Sequence, residues 1–86
     1  MKEFANADSE EIANFHAKVA GNIKRIRKAK GISQLDIALS IGLGSVTFFT
    51  NAENCKKDKK FNLEHIYKIA KALEVDVKDL FEDINV

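Results

Sequence analysis

The 86-residue chain contains no proline and only four glycines, at positions 21, 31, 42 and 44. Between them the apolar residues recur at spacings of three and four. Ile12, Phe15, Val19, Ile23 and Ile26 form one such series, and Leu63, Ile66, Ile69, Ala70 and Leu73 another. That period belongs to one face of a helix, and nothing interrupts the long stretches that carry it. The pattern predicts an all-α fold, a compact five-helix bundle whose connections sit at the glycines and at polar turn residues.

Each segment has its own start and stop signals. Asp8 or Ser9 opens a first helix over about 9–30, with Glu10 and Glu11 in the first turn and Gly31 as its stop. Ser33 caps a second helix with Asp36 three residues on, and Gly42 ends it. A third runs from about Ser45 to Glu53. Asn62 caps the fourth, stapled by Phe61 and Ile66; Asp76 caps a short fifth, with Phe81 turned inward. The expected organisation is one domain over 1–86, with the second and third helices and their turn at about 33–53.

Composition excludes several classes. A single cysteine, Cys55, permits no internal disulfide, and His16 and His65 stand apart without metal-ligand spacing. No metal and no cofactor are therefore expected. No apolar run spans a bilayer, and MKEFANADSEE lacks the apolar core of a signal peptide, so a cytoplasmic protein without a membrane partner is expected. No nucleophile–base pair or phosphate-cradling glycine loop is present, which speaks against an enzyme. Cys55 among its lysines reads as a silent thiol, with a redox switch as the alternative.

The formal net charge of +1 is a cancellation between segments. Residues 1–17 carry −3 and residues 72–86 carry −4, whereas residues 18–71 carry +8. A basic centre between acidic ends is compatible with a polyanionic partner and equally with a solvated lysine-rich surface.

The stretch NIKRIRKAKGISQLDIALSIG, with AEN at 52–54 and the closing IAKALEVDVKDLF, resembles the Cro/phage-repressor (Xre) type of helix-turn-helix DNA-binding domain. Its most specific part joins Arg27, Gly31, Ile32, Ser33, Gln34, Ile37, Ala38 and Gly42. The resemblance implies a lambda-repressor-like fold and a sequence-specific regulator of transcription, a repressor acting as a homodimer on double-stranded DNA. It implies that Arg27 pairs with Glu53, locking the third helix against the first. It also implies that Gln34 touches a backbone phosphate, with Lys56, Lys57, Lys59 and Lys60 in the loop lying over the backbone. Lysines suit that role as mobile point charges. Asn54, at the helix end, is placed to donate its side-chain amide to another phosphate.

This chain departs from the family by one extra residue between Gly42 and Glu53, placed here around Leu43-Gly44-Ser45. Counting back from Glu53 buries Phe49 and Ala52, and turns Thr47, Thr50 and Asn51 to the major groove with Ser45 and Val46 at the helix entrance. Phe48 falls on the exposed side, or packs under the first helix if the register slips; a core or dimer residue is the favoured reading over a contact to a thymine methyl. The third helix holds no Arg, Lys or Gln, so an A·T-rich site is expected, read by Asn51 on adenine and by apolar contacts to thymine methyls. Leu80, Phe81, Ile84 and Val86 exceed what the core needs and form the expected dimer interface. The competing reading is a helical protein-interaction adaptor, or antitoxin-like partner-binding module, that keeps the fold with little or no specific DNA readout.

Overall fold

A computed structural model describes residues 6–84. Four α-helices appear in order: α1 (Ser9–Ala29), α2 (Gln34–Ser40), α3 (Thr47–Glu53) and α4 (Leu63–Leu73), followed by a 3-10 helix (Val77–Phe81). No strand occurs among the described residues.

The caps act as expected at most ends. The Asp8 carboxylate accepts from the Glu11 backbone N–H while Glu11 accepts from that of Asp8, a reciprocal pair that satisfies donors no helical carbonyl can reach. Ser33 Oγ accepts from Asp36 N–H, but the shorter Asp36 side chain does not complete the reciprocal bond. At α4, Asn62 and His65 close a full box, with His65 Nδ1 accepting from the Asn62 N–H. The helices end in left-handed turns. Gly31 (φ +69°) and Gly42 (φ +88°) make them at no steric penalty, while Cys55 (φ +57°) and Glu74 (φ +59°) make them with a side chain in place.

The core joins Val19, Ile23 and Ile26 of α1, Ile37 and Ala38 of α2, Phe49 and Ala52 of α3, and Ile66, Ile69, Ala70 and Leu73 of α4. Phe61, ahead of α4, is buried and packs its ring 5.2 Å from that of Phe49, which ties the entry of α4 to α3. Ala38 is fully buried, so its small side chain leaves no room for a larger one in the close-packed interior.

Four expectations are corrected. The fifth segment is a 3-10 helix, not an α-helix. It is only five residues long, too short for a stable α-helix on its own. The side-chain amide of Asn22 in α1 donates to both Leu80 O (3.0 Å) and Glu82 O (2.9 Å), tying the turn down. α3 begins at Thr47 rather than Ser45; Val46 offers no capping side chain, so the longer connection takes up the extra residue. Leu63 is 82% exposed and not part of the α4 stripe, although Ile66 in the same first turn is buried. Ile12 and Phe15 are also exposed, since the core meets α1 only from Val19 onward.

Candidate nucleic-acid interface

The junction of α1, α2 and α3 is held by a continuous polar network. Arg27 Nε and Nη2 donate to Glu53 Oε2 and Oε1, each at 2.9 Å, and Arg27 Nη1 donates to Ile32 O at 2.8 Å. Both side chains are buried, so this is a two-pronged pair shielded from water. Its charges are compensated by geometry and not by solvent. The pairing expected of Arg27 and Glu53 is present.

The network continues into α2 and along α3. Gln34 Nε2 donates to Glu53 Oε1 (2.8 Å), and Gln34 Oε1 accepts from Thr50 Oγ1 (2.9 Å). Asn54 Nδ2 donates to Thr50 O (2.9 Å), and Asn54 Oδ1 accepts from Lys24 Nζ of α1. Glu53 thus collects both Arg27 and Gln34, and α3 is clamped to α1 at two successive positions. No buried side-chain polar atom lacks a partner among the described residues, which makes the junction a fully satisfied polar cluster that specifies one arrangement.

This geometry sorts the sequence-derived positions. Ser45 and Thr47 are exposed at the start of α3, and Asn51 is half-buried beside them. Val46 packs against the core instead of projecting outward. Thr50 is half-buried with its hydroxyl proton committed to Gln34. Gln34 and Asn54 have both ends of their amides engaged within the protein. Phe48 packs against the core, as a core residue and not a base contact: it lies against Phe61 (6.2 Å between rings) and His65 (5.0 Å). This wedge between α3 and α4 follows from the register that buries Phe49.

Lys56, Lys57, Lys59 and Lys60 are all exposed in the α3–α4 loop. Cys55, Lys57 and Asp58 all take left-handed backbone there, and the Lys56 N–H closes back onto Asn51 O at 2.8 Å. The loop is therefore anchored to the end of α3 and presents its ammonium groups outward. Lys60 lies 3.7 Å from Asp58 in a solvent-exposed pair, weak by the usual measure of such contacts.

The expected dimer residues separate. Leu80 is 0% exposed and belongs to the core, because Asn22 draws the 3-10 helix down onto α1. Phe81 is half-buried and stacks on Phe15 with ring centres 6.3 Å apart. Ile84 packs partly against the core, and Val86 lies outside the described residues.

Lys24 is a structural partner that the sequence reading did not single out. The signal was present: Lys24 and Arg27 are three residues apart on one helical face, and Glu53 and Asn54 are adjacent at the end of α3.

These features define a helix-turn-helix protein: a short α2, an α3 fixed against α1, and a basic loop beside it. The family model for the Cro/C1-type HTH DNA-binding domain matches residues 22–85. The chain belongs to that family. No curated protein matches it. The matched region opens at Asn22, the residue that secures the 3-10 helix, so the first 13 residues of α1 (9–21) precede the family domain.

Proposed function

We propose that the protein is a sequence-specific transcriptional regulator, a repressor that binds double-stranded DNA as a homodimer with α3 in the major groove. The observation that carries this reading is the clamp on α3: Arg27, Gln34 and Lys24 hold it against α1 and α2 while Ser45, Thr47 and Asn51 stay on the open side. A helix that reads bases needs its orientation fixed before contact, because a displaced donor loses its base edge. Asn51 reads adenine, Thr47 meets a thymine methyl, and Ser45 takes either a base or a phosphate. Val46 and Thr50 support the helix from behind.

Lys56, Lys57, Lys59 and Lys60 take the phosphates. Gln34 and Asn54 add phosphate contacts through the amide hydrogens their internal bonds leave over. Two subunits release roughly 6–10 counterions on this account. The dimer forms on the apolar surface of Phe81 and Ile84, extended by Ile12, Phe15 and Val77, which are all exposed. One module of this size buries too little DNA for tight specific binding, and paired half-sites remedy that.

Selection of bound sequences from a random DNA pool tests the reading. A·T-rich half-sites spaced one helical turn apart support it. A pool that stays random overturns it in favour of a protein-interaction adaptor.

A further inference from the structure

A cavity of about 130 Å³ lies between the first half of α1 and the α3–α4 loop. Its α1 wall is Ala13, His16 and Val19, and its floor is Ala52 and Phe61. All three α1 residues precede the region matched by the family model. The cavity exists only because α1 continues thirteen residues upstream of the family domain. Lys59 and Lys60 line its loop side.

Three properties describe what would fit. The volume approaches that of the roughly 150 Å³ cavity able to hold a benzene ring. The floor and most of the α1 wall are apolar. The rim is cationic: Asp58 also lines the cavity but faces Lys60 at 3.7 Å, leaving the Lys59 charge in excess. The positive potential reaches the α1 wall. Burial holds the His16 imidazole below its ordinary value, and the Lys60 charge lowers it further.

We propose that this cavity binds a small monocarboxylate with an apolar body of ring size, its carboxylate on Lys59 and its body over Ala52 and Phe61. Because Lys59 and Lys60 are also assigned to DNA phosphates, occupancy weakens DNA binding. This second part rests on the function proposed above, and the first does not.

Benzoate is the probe, with benzyl alcohol as its uncharged counterpart. Sodium chloride holds ionic strength constant. The His16 ring protons are followed by NMR in the protein alone. The expected result is saturable movement with benzoate, half-complete on the order of 1 mM, and at least about tenfold weaker binding of benzyl alcohol. Lys59→Gln brings benzoate to the level of the alcohol. Ala13→Leu fills the cavity and abolishes saturation. Circular dichroism checks that A13L remains helical, and K59Q in the exposed loop tests the site independently of it.

A linear response to benzoate, equal affinity for the two probes, or wild-type affinity in K59Q overturns the site. In gel shifts with a selected DNA, saturating benzoate is expected to reduce affinity about tenfold, the worth of one charge-assisted contact. Benzoate binding with unchanged DNA affinity overturns the coupling. A protein that shifts no DNA even without benzoate contradicts the DNA reading instead, and the NMR result still decides the site.

Discussion

The α1–α2–α3 junction and the α3–α4 loop adjoin at Glu53–Cys55, yet they handle charge in opposite ways. At the junction Arg27 and Glu53 are buried, paired at 2.9 Å by two hydrogen bonds, and joined by Gln34. In the loop four lysines stand in solvent on a backbone with three left-handed residues. The buried charges cannot reach a ligand and can only fix geometry. The exposed ones do little for the fold and are available to an anion. The charges that set shape and those that supply affinity thus belong to different residues, with Gln34 and Asn54 alone serving both regions, and substitutions of the charged groups should separate the two roles.

The largest effect belongs to the junction. Arg27→Ala leaves the Glu53 carboxylate buried without its partner and should destabilise the domain by about 3–5 kcal/mol. A loss near zero in chemical denaturation would show that the pair is not structural. The double replacement Arg27→Met with Glu53→Leu removes both charges and should recover most of that loss. Gln34→Ala removes the bridge between Glu53 and Thr50 and should destabilise by about 1–2 kcal/mol. Changing Lys56, Lys57, Lys59 and Lys60 together to Glu should leave the thermal midpoint nearly unchanged while abolishing the DNA gel shift. A collapsed fold in that variant would break the contrast.

Smaller effects sharpen it. Cys55 occupies a left-handed position that glycine adopts without steric penalty, so Cys55→Gly should stabilise by about 0.5–1 kcal/mol, net of the added freedom of the unfolded chain. The weakest signal concerns pH. Burial lowers the His65 pKa below its ordinary 6.5, with opposing smaller influences from Glu64, which raises it, and Lys68, which lowers it. The unfolded chain therefore takes up the proton first as pH falls. Stability should decline as pH drops below about 6.5 and through the lower folded value. Protonation at Nδ1 also breaks the bond that His65 accepts from Asn62. His65→Gln should flatten this slope, seen in melts between pH 7.5 and 5.

Much of this was legible in the sequence, for physical reasons. Asp8, Ser33 and Asn62 announce their helices because capping is a local matter, settled within three residues. Gly31 and Gly42 mark their turns because positive φ needs them there. Residues whose roles depend on distant neighbours were harder. Leu80 looks surplus in a list of apolar residues and becomes core only because Asn22, 58 positions earlier, holds its carbonyl. Gln34, Thr50 and Asn54 are types that contact DNA readily, and the same polarity lets them bond each other once α2 and α3 meet. Leu63 fits the helical period, yet its side chain stays in solvent while His65 and Ile66 of the same turn meet Phe48 and the core.

The division of labour between junction and loop is tested most directly by the salt dependence of DNA affinity in the wild type and in the four-lysine-to-glutamate variant. The wild type should lose affinity on the order of 10³–10⁵-fold between 50 and 200 mM salt, while the variant binds no DNA across that range and melts like the parent. A flat salt profile for the wild type, or equal binding by the two proteins, would contradict the assignment of the loop to the DNA backbone.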